Sequence, residues 1–155
     1  MTWVRCNPKF ESARLSALAA VERAGLSDLH EHRHGASEYA LPELVSQGVK
    51  CQFVYVDGHH GFDHAFLDMF YADALLDIGG LLAFDDSQWR GVHKVIGYLI
   101  RHRSYEEVET GLARSYTSRN PLYTLIKRLQ GRFGSSRYFR KTGDWKAPFD
   151  FYRSF

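Results

Sequence analysis

Two short apolar runs, each stopped by acids, frame what this chain can become. Phe53, Val54, Tyr55 and Val56 make an unbroken run of strand formers over 52–56 that ends at Asp57 and Gly58. Leu81, Leu82, Ala83 and Phe84 make a second, over 81–84, that ends at Asp85 and Asp86. Continuous apolar runs bounded by turn residues read as strands buried on both faces. Between them Phe62, Ala65, Phe66, Met69 and Leu76 mark one face of a helix, with Asp63, His64, Asp68 and Asp73 elsewhere around it, and Gly79 and Gly80 are expected to end that segment. Strand, helix and strand joined this way form a right-handed βαβ unit with parallel strands.

The flanking sequence extends the alternation. Leu15, Leu18, Ala19 and Val21 recur at helical spacing over 11–24, and Gly25 follows as a C-terminal cap. Residues 29–34 set His30, His32 and His34 against Leu29, Glu31 and Arg33, a short strand that breaks at Gly35, Ala36 and Ser37. Ser37 is placed to cap a helical piece containing Glu38, Leu41, Leu44 and Val45. Val92, Val95, Ile96, Leu99 and Ile100 form the buried face of a further helix. The pattern weakens after Tyr105, with a strand expected at 105–109, a helix at 121–129, a strand at 138–141 and a packed aromatic tail at 145–155. The fold class is α/β: a mostly parallel sheet with flanking helices and a carboxy-terminal antiparallel strand. At 155 residues the chain, 1–155, reads as a single domain.

Hydrophobic residues at 45% and charged residues at 25% exclude intrinsic disorder. No apolar run reaches the roughly 18–20 residues that span a bilayer, and the first residues lack the apolar stretch of a signal peptide. A cytoplasmic protein with no membrane partner is therefore expected. Cys6 and Cys51 make no disulfide framework and are expected to be reduced and buried. Charge is uneven: residues 1–110 carry 10 Lys/Arg against 16 Asp/Glu, and residues 111–155 carry 10 against 2. A basic end can steer nucleic acid or an acidic partner, or fold back on its own acidic body. In it Arg132, Arg137, Arg140 and Lys141 alternate with Phe133, Tyr138 and Phe139, a mixture able to hold single strands. No RNA-binding or helix-turn-helix signature accompanies them, so nucleic acid is not the expected partner.

Ligands of open parallel sheets bind at the carboxyl ends of the strands. Asp57 closes one strand and Asp85 with Asp86 closes the next, 28 positions on, a separation that suits neighbouring strands. Three such carboxylates can ligate one hard divalent cation; equally, Asp86 can cap a helix, Asp57 fill a turn and Asp85 be solvated. His59 and His60 follow Asp57, and a histidine there can take a proton near neutral pH or simply bond to the loop backbone. His60 and His64, one helical turn apart, would bind zinc if an acid joined them, although no HExxH glutamate is present.

The stretch Phe53-Val54-Tyr55-Val56-Asp57-Gly58-His59-His60, the helix through Asp73, and Gly79-Gly80-Leu81-Leu82-Ala83-Phe84-Asp85-Asp86 together resemble the second half of a class I S-adenosylmethionine-dependent methyltransferase. The pattern is similar to the small-molecule O-methyltransferase group that includes the macrocin-type sugar enzymes. The resemblance implies an incomplete Rossmann-like methyltransferase fold in which Asp57, Asp85 and Asp86 bind magnesium. It implies that Gly35, Ala36 and Ser37 hold the cofactor's adenine, with Asp57 and Gly58 completing part of that site. His60, or His59 beside it, would deprotonate the acceptor hydroxyl. The glycine-rich loop of the family has no counterpart, residues 3–7 stand where a second strand would end, and Cys6 and Asn7 replace its ribose-binding acid. The chain is thus expected to be amino-terminally truncated relative to the family and to cover its exposed sheet edge as a homodimer. The implied function is metal-assisted O-methylation of a small-molecule hydroxyl; the alternatives are a non-catalytic dimerising module and a zinc-dependent hydrolase using His60 and His64.

Overall fold

The computed structural model describes residues 2–4, 8–110, 136–145 and 147–155, with positions 122, 125, 126 and 129 between them. Strand β1 (Thr2–Val4) is followed by α1 (Pro8–Arg23), a single 3-10 turn (Ser27–Leu29), β2 (His32–His34) and α2 (Ser37–Ser46). Then come β3 (Cys51–Val56), α3 (Phe62–Leu75), β4 (Leu76–Phe84), α4 (Arg90–His102), β5 (Tyr105–Val108) and β6 (Arg137–Lys141). β1 and β2 pair in parallel as one sheet, and a second sheet runs β3-β4-β6-β5. In the second sheet β3 and β4 are parallel and β6 is antiparallel to both neighbours. This is the α/β architecture expected, with the antiparallel strand at the carboxy-terminal side.

The core lies on one face of the larger sheet. Val54 and Val56 of β3, Leu82 and Phe84 of β4 and Phe139 of β6 meet Met69 and Ala72 of α3 and Val95, Ile96 and Leu99 of α4. Each large apolar side chain fully buried here contributes roughly 1.5–3 kcal/mol. A second cluster seats Leu41 and Leu44 of α2 on Leu75 of α3. Lys141 is buried at the foot of β6, where its Nζ donates to the carbonyls of Asp73 (2.8 Å) and Leu76 (3.1 Å). The aromatic tail packs only in part: Phe155 stacks on Phe62, Lys94 Nζ donates to its carbonyl at 2.8 Å, and the Arg153 N–H donates to His102 Nε2 at 3.0 Å, while Phe149 and Tyr152 stay exposed.

Several local expectations are corrected. β3 is not buried on both faces, since Phe53 and Tyr55 are exposed on the side away from the helices. The β2 strand is only His32–His34, because Ser27–Leu29 turn as a 3-10 helix and take His30 out of the ladder. Gly79 and Gly80 do not end the helix but lie inside β4, where Gly79 at φ +90° lets the register slip between Cys51 and Phe53. Ser37 is the first residue of α2 and Ala36 its N-cap, with no side-chain capping bond. Gly25 does close α1: its N–H bonds to the Glu22 carbonyl and the Leu26 N–H to that of Val21, at φ +68°. Cys51 is half-buried, and burial pushes its thiol up; Cys6 and Asn7 lie outside the described residues, as does most of the helix expected at 121–129. Among the described residues no helix is long and apolar enough to cross a membrane.

Candidate active site

The carboxyl ends of β3 and β4 lie side by side because the two strands are parallel and in register up to Val56 and Phe84. The Asp85 N–H donates to the Val56 carbonyl at 2.9 Å, which carries the pairing one residue further. The loops that follow, 57–61 and 85–89, are thereby pressed together.

In that corner His60 Nε2 lies 3.0 Å from Asp86 Oδ2. The His60 ring is stacked parallel on Trp89, with centroids 5.8 Å apart. Asp86 has φ +46°, an uncommon conformation for a residue with a Cβ, and its second oxygen accepts from Gln88 Nε2 at 2.7 Å. Asp86 does not cap α4; its carbonyl accepts from the Trp89 N–H, and Trp89 is the N-cap residue. Asp85 accepts from Ser136 Oγ at 2.9 Å, and Ser136 lies 3.0 Å from Tyr55 Oη. With Ser136 donating to the carboxylate, the Tyr55 hydroxyl donates to Ser136. Partial desolvation, and then the negative charges of Asp85 and Asp86, hold the Asp57 carboxyl above the usual carboxylate range, with His60 pulling the other way.

His59 serves the loop backbone. Its Nδ1 accepts the Gly61 N–H at 3.0 Å and its ring sits edge-on to His64, 4.8 Å between centroids. Two glycines are required by close approach. A Cβ on Gly58 would lie 2.8 Å from Oδ2 of buried Asp68, and one on Gly91 would strike the His60 carbonyl. The loop is therefore clamped between α3 and the first turn of α4.

Beside it opens a pocket of about 250 Å³. It is lined by Gly35, Ser37 and Glu38, by Asp57, Gly58 and His59 of the loop after β3, by the apolar Val54, Leu41 and Ala72, and by Asp68 and His64 of α3. Four of the expected cofactor positions, Gly35, Ser37, Asp57 and Gly58, line it; Ala36 does not. Sequence reading missed Glu38, Asp68, Trp89 and Ser136. Asp68 carried a signal: it shares the helical face of Ala65, Met69 and Ala72, where an acid needs a reason to be buried.

Among the described residues no three His, Cys, Asp or Glu side chains converge as a set of metal ligands. Asp85 and Asp86 are turned to Ser136, Gln88 and His60, so the acids as arranged do not fit a magnesium site. His64 approaches Asp63 and His59, and no zinc set forms with His60.

A family model described as a methyltransferase domain matches residues 3–87. No curated protein matches the chain. Among solved structures, the chain is similar to the cofactor-bound protein Rv0187 from MTB, with a TM-score of 0.62 and 14% identity. The match covers 90% of this chain and 60% of that one, so this chain spans less than two thirds of that protein's length.

Proposed function

The chain belongs to the methyltransferase-domain family, and from that premise we propose that it methylates the hydroxyl of a small molecule with S-adenosylmethionine as donor. One observation carries the reading: the His60–Asp86 pair and the 250 Å³ pocket share the loop after β3. A small cavity with apolar walls, a carboxylate-bearing rim and bare backbone at Gly35 and Gly58 suits a nucleoside. Its volume is below the roughly 300–1,000 Å³ of a typical whole-ligand site. The pocket fits the nucleoside end of the cofactor, and Gly35, Ser37, Glu38, Asp57 and Gly58 are the residues that would hold it.

When bound, the cofactor supplies a methyl group on a sulfonium centre. The chain's own residues orient the acceptor and manage its proton. His60 sets Nε2 3.0 Å from the Asp86 carboxylate, a contact that becomes an ion pair when the ring is protonated, and Nδ1 is then the nitrogen that accepts the hydroxyl proton. Asp86 stabilises the imidazolium so formed, and the Trp89 ring limits the rotation of the imidazole. Alignment of acceptor and donor supplies the larger share of the rate.

Calorimetric titration with S-adenosylhomocysteine tests the reading. Saturable binding weakened about tenfold or more, the scale of a lost charge-assisted bond, by Glu38→Ala or Asp57→Ala is expected. Absence of saturable heat from the native chain would overturn it.

A further inference from the structure

β5 and β6 are antiparallel neighbours, paired from Tyr105↔Lys141 to Val108↔Tyr138. Roughly two to five residues suffice to join such strands, yet here the connection runs from 109 to 136. Connections of that length inside a compact domain usually carry function. Its place is set by the ladder. Arg137 opposes Phe84, and Ser136 bonds to Asp85, so the connection leaves and re-enters the sheet at the end that carries the candidate active site.

The described positions within it are helical, and they are apolar: Leu122, Leu125, Ile126 and Leu129. Their spacing puts them on one helical face. Leu125 is 53% exposed, Ile126 42% and Leu129 79%, so among the described residues none covers these three side chains. Every charged residue around them is basic: residues 111–135 hold five Lys or Arg and no Asp or Glu. An apolar stripe on a basic segment is the composition of a helix that lies in a lipid–water interface.

From these placements we infer that the Leu125, Ile126 and Leu129 stripe docks on an anionic lipid surface, with the active-site end of the sheet turned to the bilayer. The apolar side chains enter the acyl boundary while the basic residues meet the headgroup charge. An isologous pairing with a second copy is disfavoured by charge, because it would set two segments of net charge +5 against each other. An interfacial helix needs neither the length nor the uniform apolarity of a spanning segment. A lipid-borne acceptor hydroxyl follows from this docking; that consequence alone rests on the proposed methyl transfer.

Vesicle flotation of the full chain tests the docking without the cofactor. The protein is expected to float with vesicles of phosphatidylcholine and phosphatidylglycerol, and not with phosphatidylcholine alone. Raising salt to about 0.5 M should release it, since headgroup attraction is screened within a few ångströms there. Leu125→Glu with Leu129→Glu should lower the bound fraction about tenfold or more with the thermal midpoint kept, and Ile126→Trp should raise it. Equal binding to both vesicle types, native-level binding by the Glu variant, or no flotation of the native chain would overturn the inference. So would a native dimer that the Glu variant converts to monomer, which would assign the stripe to a second copy. Failure of the S-adenosylhomocysteine titration with flotation intact would reject the methyl-transfer reading and leave the docking standing.

Discussion

His60 and Asp86 belong to different loops, one after β3 and one after β4, and they meet at 3.0 Å between Nε2 and Oδ2 only because the parallel ladder brings both strand ends to the same level. Asp86 reaches His60 from a left-handed backbone at φ +46°, a conformation that costs an L-residue roughly 1–2 kcal/mol. Strain held beside a polar pair is a frequent mark of a functional site.

Asp86→Gly and Asp86→Ala separate the two roles of this residue. Both remove the carboxylate, and both should slow methyl transfer by roughly 10- to 100-fold, within the range of acid–base contributions, with cofactor affinity retained. Only glycine relieves the backbone, so Asp86→Gly should melt a few degrees above Asp86→Ala, the shift that about 1 kcal/mol produces in a chain of this size. Melting curves and initial rates on the two variants check this.

The two adjacent histidines should behave differently. His60→Ala is expected to lower turnover about 10²-fold or more while leaving S-adenosylhomocysteine binding intact. His59 Nδ1 is occupied by the Gly61 N–H, so His59→Ala should act on loop order and on cofactor affinity more than on turnover. Paired measurement of the dissociation constant and the rate constant distinguishes the outcomes.

Asp57 predicts a pH effect of defined sign. Its pKa is raised in the folded protein, first by desolvation and then by Asp85 and Asp86, so the folded state takes up the proton before the unfolded state does. Between the unfolded and the raised folded pKa, stability from this group falls as pH rises, and above both the cost is constant. Asp57→Asn removes that cost. The variant should melt above the native protein at pH 7, and the gap should close as pH drops below the usual carboxylate range, as read by melting curves across pH.

Gly58 and Asp68 should be energetically coupled. A methyl group on Gly58 would approach Asp68 Oδ2 to 2.8 Å, and overpacking of this kind costs about 1–3 kcal/mol. Gly58→Ala should be destabilising by that amount, and distinctly less so in the Asp68→Ala background. A double-mutant cycle of urea midpoints measures the coupling.

Much of the frame was legible in the residues. The apolar runs before Asp57 and Asp85, with a helix between, specify a βαβ unit by local pattern alone, and Gly25 marks the end of α1 because only a residue tolerant of φ +68° fits there. The same pattern put three acids and two histidines at the carboxyl end of the sheet. What it could not assign was the direction each side chain takes. Asp86 reads as a metal ligand in sequence; in the fold it accepts from Gln88 and lies 3.0 Å from His60. Ser136 lies 51 positions from Asp85 and is joined to it by the antiparallel return of β6. Gly79 and Gly80 look like a helix stop, yet the strand absorbs them once β3 can slip in register beside β4. Local pattern carries secondary structure because it is set by neighbours within a few residues; partners, exposure and strain are set by chain segments far apart in sequence, and only packing the sheet against α3 and α4 decides them.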